Sequence, residues 1–333
     1  MIFGNHQKSF QHQQVPQVQK PQRVPLSLLS NGTGSTPPNP NNQNNQKPIL
    51  CRQLPYKPFV HVELPIGLPC DPQDVTEFEH IIYRSMRVRE TNLPEFTVQQ
   101  TEMTPNDRST MVLWLCRMHY KCQLTTETFH RSIGILDRVI SRTNISRCKL
   151  PLIGSAAMLI ASKIEDIQPI QIEDILTIAE NAFTENDLKS MEVNLINLIG
   201  FDTEFPTILF FLSIFLRLNG QTLQIMLFAR YITEICMTSA EFMSVKPSAI
   251  AATALMMTRT IAGVEPWTEP LAAYTQYSFE DLCHYCKVAH ALLLQVGKDE
   301  ANFIRRKYSI DQFCNVSCIQ IPTELPIPFP YYD

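Results

Sequence analysis

Acidic residues are missing from the first fifty positions, where Lys8, Lys20, Arg23 and Lys47 leave a charge of +4. The whole chain has 333 residues, with 28 Lys+Arg against 32 Asp+Glu and a net charge of -4, so the remainder carries -8. The lack of an overall basic surplus excludes a uniformly basic nucleic-acid coat. Long apolar runs are missing too. The most apolar stretch, Ile208 through Leu216, is nine residues long and ends at Arg217, whereas a membrane span needs about 20. It reads as core, and no membrane partner is expected. Met1 to Gln7 lack the basic start and apolar centre of a signal peptide, so no secretion is expected. The ten cysteines lack regular spacing and the chain is long enough to build a core without disulfides, which reads as reduced, intracellular thiols. A Gly-rich phosphate loop, a dinucleotide signature and a Gly-x-Ser-x-Gly elbow are all absent, so no catalytic residue and no cofactor is expected.

What is present divides the chain. Residues 1–50 hold 9 Gln, 7 Asn and 7 Pro, a composition that buries too little apolar surface to offset chain entropy and reads as a disordered tail. Residues 51–71 keep the prolines but alternate them with Leu, Phe, Val and Ile, which suits an extended approach to a folded body. Prolines then nearly vanish. Between 106 and 205 only Pro151 and Pro169 occur, and apolar residues recur every 3.6 positions, so the body, about 72 to 315, is all-α. A first helix over about 72–89 presents Phe78, Ile81, Ile82 and Met86. Thr104, Pro105 and Asp107 then cap a helix whose stripe is Met111, Val112, Leu115 and Met118. Further helices follow over 126–142, 152–162, 171–180 and 185–199, the last announced by Thr184 and Asp187. After Gly200 the pattern restarts at Ile208, at Ile225, at Pro247 and behind Ser278–Asp281.

The restart has a measure. Leu152 to Lys163 and Ser248 to Arg259 are both small-residue segments preceded by proline, offset by 96 positions. Ala156, Ala157 and Ala161, like Ala251, Ala252 and Ala254, let neighbours approach on several sides, as the central helix of a bundle requires. The offset suits two tandem helical domains better than a solenoid repeat.

Candidate chemistry is sparse. Glu165–Asp166 and Glu173–Asp174 read as solvated acids rather than an acid/base pair. Cys283 and Cys286, with Cys314 and Cys318, number enough thiolates for a zinc ion, but Cys286 lies in a helical apolar stripe and buried free thiols are the better reading. No metal is expected. Lys163 alone reads as a helix C-terminal charge and Glu192 as solvated, while Met111 and Trp114 suit either core or an exposed patch.

Taken in order, Arg108, Trp114–Leu115, Leu136–Asp137–Arg138, Lys149–Leu150, Gly154 through Asp166, and Met191–Glu192 to Phe201–Asp202 resemble the cyclin family, in its A/B-type mitotic branch. Tyr83–Met86 and Lys246–Ser248 with Ala251–Ala252 extend the resemblance over about 72 to 300. It implies two five-helix cyclin boxes behind an N-terminal helix. The domains are then 1–50 regulatory tail, 51–71 approach segment, 72–104 N-terminal helix and linker, 105–202 box 1, 203–300 box 2, and 301–333 C-terminal extension. It also implies a non-catalytic activating subunit of a cyclin-dependent Ser/Thr kinase, in nucleus and cytoplasm, that holds the kinase's αC helix in its active orientation. By motif match Lys163 and Glu192 are kinase-binding anchors, and Arg108 with Asp137 is an internal salt bridge.

In related cyclins a Met-Arg-Ala-Ile-Leu stretch and a following Trp receive Arg-x-Leu substrates. Here the candidate patch is Asp107, Thr110, Met111 and Trp114, with Pro151 at the usual Gln. It has less apolar area, but Asp107 offers an attraction for a basic substrate side chain. Arg23, Leu26 and Asn31 resemble a destruction box read by the anaphase-promoting ubiquitin ligase. No obligate homo-oligomer is implied. The rival reading is a cyclin-box scaffold or transcription-related protein without kinase activation, and the acidic body argues against nucleic acid as its partner.

Overall fold

The computed structural model describes residues 76–96, 98–218 and 222–325, with side chains from 78 onward. The tail, the approach segment and the Arg23–Asn31 motif lie outside the described residues.

Among the described residues all regular structure is helical: α1 (Thr76–Arg89), α2 (Pro105–Lys121), α3 (Thr126–Arg142), α4 (Leu150–Glu165), α5 (Ile172–Ile178), α6 (Glu185–Ile199), α7 (Ile208–Arg217), α8 (Leu223–Thr238), α9 (Pro247–Ile261), α10 (Glu269–Thr275), α11 (Phe279–Lys298) and α12 (Phe303–Lys307). Three starts carry the reciprocal bonds of a capping box: Thr104 with Asp107, Thr184 with Asp187, and Ser278 with Asp281. Each satisfies two backbone N–H groups that the first turn leaves over. Gly200 ends α6 at φ +65°, a left-handed turn that costs a glycine little.

Helices α2, α3 and α6 pack around α4, and helices α7, α8 and α11 around α9. In both central helices the small side chains are buried, Ala156, Ala157 and Ala161 in one and Ala251, Ala252 and Ala254 in the other. At Gly154 an added Cβ would lie 2.6 Å from the Met111 sulfur, so the glycine sets how near α2 comes to α4. The 96-residue offset therefore relates two bundle centres.

One helix start and two short helices differ from the sequence pattern. Helix α4 begins at Leu150 rather than 152, because the 3-10 turn Arg147–Lys149 runs straight into it and Pro151 sits within its first turn. Two short helices, α10 and α12, lack a readable apolar stripe. Within the C-terminal extension Ile304 and Tyr308 are buried, inside the expected body of about 72 to 315, and Val316 and Leu325 carry the buried set just past it.

The bundles and the flanking helices are held together by buried charge. Arg108 spans both bundles: its Nε and Nη2 donate to the two Asp137 carboxylate oxygens at 2.7 Å each, and its Nη1 donates to Met237 O at 2.9 Å. Helix α1 is tied to the second bundle. Glu90 accepts from the Ser248 backbone N–H (3.0 Å) and hydroxyl (2.8 Å) at the start of α9, and Arg87 donates to Tyr277 (3.1 Å). Tyr83, fully buried, lies 4.6 Å from Tyr274 and meets Phe211 edge-on at 5.9 Å. From the other end, Lys307 of α12 donates to both Glu234 oxygens (2.7 and 3.0 Å), and Tyr308 adds a third bond at 2.7 Å. Burial alone would push the Glu234 carboxyl up, but Lys307 and Tyr308 outweigh it and hold it below the usual range.

Candidate functional site

The C-terminal turn of α4 sends three charged side chains to two neighbouring helices, α6 and α3. Lys163 reaches α6, where its Nζ donates to Glu192 Oε1 at 2.5 Å. Glu165 pairs with Arg131 of α3. Asp166 accepts from the Thr125 backbone N–H (2.9 Å) and the Thr128 hydroxyl (2.5 Å), closing the first turn of α3. The expectation of solvated acids is therefore corrected for Glu165 and Asp166: successive directions on a helix end send each to its own partner. Glu173 and Asp174 are exposed.

Lys163 and Glu192 are brought together in a pair whose lysine side chain is 49% exposed and glutamate 20%. Beside them Ile164, Ile167 and Val193 stand in solvent, Ile167 completely, and Leu198 near the end of α6 and Phe201 just past it are exposed. Aliphatic surface around a half-solvated ion pair is the composition of a protein interface, with an apolar area to bury and polar groups to fix register.

The candidate docking residues are arranged differently from the sequence reading. Met111 is buried beneath α4 and Trp114 is half-buried against the core. Thr110 is exposed and donates to Asn106 O (2.9 Å), and Pro151 is half-buried. Asp107 is already engaged: Oδ2 accepts from the Thr104 N–H (2.9 Å) and hydroxyl (2.7 Å), and Oδ1 faces Arg147 Nε at 2.9 Å. Slight burial pushes its carboxyl up, but Thr104 and Arg147 prevail and hold it below the usual range. A basic substrate side chain would have to displace Arg147. The capping role was readable from Thr104-x-x-Asp107; the Arg147 contact, forty residues on, was not.

Among the described residues no three His, Cys, Asp or Glu side chains gather as a metal site would require, and no helix is long and apolar enough to cross a membrane. Cys283 and Cys286 are buried in α11, the latter with its sulfur 4.0 Å from Thr253 O.

Family profiles match both halves: one described as "Cyclin, N-terminal domain" over residues 81–204 and one described as "Cyclin, C-terminal domain" over 206–322. Cyclin-A1 of Mus musculus is 31% identical over 261 residues, 77% of this chain and 62% of that protein. Cyclin-A1-4 of Oryza sativa subsp. japonica is 30% identical over 78% of this chain and 76% of its own length. The G2/mitotic-specific cyclin-B of Spisula solidissima is 29% identical over 74% and 58%. The chain thus spans about six-tenths of several relatives it matches. In fold it is similar to the X-ray structure of a viral cyclin from herpesvirus saimiri, with a TM-score of 0.57 and 23% identity over 65% of this chain and 97% of that one.

Proposed function

The chain belongs to the cyclin family, and from that premise we propose that it is a non-catalytic activating subunit of a cyclin-dependent Ser/Thr protein kinase in G2/M or mitotic control. The observation that carries this reading is the Lys163–Glu192 pair with exposed Ile164, Ile167 and Val193 beside it. In such a complex the aliphatic residues bury against the kinase, and Lys163 and Glu192 trade solvent for kinase polar groups. Breaking a half-exposed pair costs only about 1 kcal/mol or less, so the two are available for new partners. The subunit shifts the kinase toward its competent state, and the kinase performs the phosphoryl transfer.

Turnover through the anaphase-promoting ubiquitin ligase at Arg23, Leu26 and Asn31, and residence in nucleus and cytoplasm, belong to the same reading. So does substrate docking at the Met111–Trp114 region, which in this chain requires the Asp107–Arg147 contact to open. The test is recovery of endogenous kinases by the tagged full chain, followed by a histone phosphorylation assay. The wild type should recover an active kinase, and Lys163→Ala and Glu192→Ala should each recover less. If the intact chain recovers no such kinase, the scaffold reading replaces this one.

A further inference from the structure

A recess lies between the bundles, away from the Lys163–Glu192 surface. It is lined by His130, Ile133 and Arg138 of α3, Phe205 of the inter-bundle connection, Ile208 at the start of α7, and Ile250 of α9, with a volume of about 100 Å³. An apolar cavity of roughly 150 Å³ takes up benzene, so this one has room for a single aliphatic side chain.

Its polar equipment is unevenly satisfied. Arg108 at its edge is engaged through Nε, Nη1 and Nη2 by Asp137 and Met237, and the half-exposed Arg89 through Nη1 by the Glu204 carbonyl and carboxylate at 2.9 and 3.1 Å. Arg138 is not. It donates at 3.3 Å to Gly134 O, its guanidinium lies 3.5 Å over the Phe205 ring, and its nearest carboxylate oxygen, on the half-exposed Asp202, is 3.7 Å away. Burial lowers its pKa to about 10, because Asp202 and Asp137 offset only part of the desolvation. Neither ring nitrogen of the buried His130 has a hydrogen-bonding partner, although the ring also faces Glu234, Lys307, Arg230 and His119. An under-compensated buried cation with donors to spare favours an anion, most of all a planar one.

We propose that this cleft docks an extended segment of a partner protein, which seats one aliphatic side chain against Ile133 and places a carboxylate two residues away on Arg138. The spacing follows from geometry. Ile133 and Arg138 stand about 7 Å apart along the α3 axis and about 140° apart around it, yet both line the recess, and side chains two apart on an extended chain point the same way about 7 Å apart. The site is independent of the kinase reading and stands if that reading fails.

The probes are capped peptides, acetyl-Gly-Leu-Gly-Asp-Gly-amide and its reversed order, acetyl-Gly-Asp-Gly-Leu-Gly-amide, each with an Asn-for-Asp control. They are titrated into the full chain while the methyl NMR signals of Ile133, Ile208 and Ile250 are followed. One order should give saturable shifts at these methyls, weakened about fivefold or more by Asn. Arg138→Gln should erase the Asp/Asn difference. Asp202→Asn, a surface change that keeps the fold intact, should tighten the Asp peptide by about twofold by removing the competing carboxylate. Absence of saturable shifts with either order, equal binding of the Asp and Asn peptides, or weaker binding to Asp202→Asn would overturn the proposal.

Discussion

Lys163 and Glu192 are bound to each other, the lysine half in water and the glutamate partly so, and that sets what their removal does. A pair this solvated contributes about 1 kcal/mol or less to the fold, so Lys163→Ala should leave the melting temperature nearly unchanged. Kinase affinity should fall by about tenfold or more, because the kinase group that meets the ammonium is left buried without a partner. Calorimetry on the free chain and titration against the kinase separate the two effects. His119 and His130 show the opposite case. Burial, with Lys307 nearby, pushes them down to about 4 and about 3 although Glu234 pulls the other way. The folded chain prefers both neutral. Their contribution is therefore complete above the unfolded histidine value of about 6.5 and is lost as pH falls toward the folded values. Each should cost about 2 kcal/mol between pH 7.5 and 5. Glu90 and Glu127, whose carboxyls burial pushes up, act in the opposite sense. The clean measurement is the stability-versus-pH slope of the wild type against His119→Phe/His130→Phe, which should be flatter in the variant; equal slopes would refute the assignment.

Among the elements, the inter-bundle connection depends on a glycine. A Cβ at Gly134 would run into the Phe205 ring, so Gly134→Ala should destabilise by about 1–3 kcal/mol despite alanine's better helix propensity. Helix α12 depends on one ion pair. Lys307→Ala leaves Glu234 charged, fully buried and short of its cation, a loss of about 3–5 kcal/mol in urea unfolding, and Lys307→Met with Glu234→Leu should recover most of it. These elements also mark how far the sequence could be read. Capping boxes at Thr104, Thr184 and Ser278 act within four residues, so most helix starts were legible locally. The Glu234–Lys307 pair joins positions 73 apart, and Lys307 stands in the basic run Arg305–Arg306–Lys307, which has no local reason to be buried. The fate of Asp166 and the Asp107–Arg147 contact were hidden for the same reason. Helix α10 was missed because seven residues with a proline in the first turn display too few turns for a period.

At the scale of the molecule, two bundles built on α4 and α9 are clasped by α1 at one edge, through Arg87, Glu90 and Ser248, and by α12 at another. Both clasps involve the second bundle, so the surface at the end of α4 is backed by contacts made far from it. The 96-residue offset made the repeat visible in sequence, whereas the clasps, made by single charged side chains, have no period to read. The proposed function makes this body a rigid partner that works by binding, and its central claim is kinase activation. The most direct test is the rate of histone phosphorylation by a purified cyclin-dependent kinase with and without the full chain. Activation should be at least about tenfold and largely lost with Lys163→Ala/Glu192→Ala. A folded wild-type chain that activates none of the cyclin-dependent kinases tested, or a double variant that activates as well as the wild type, would contradict the account.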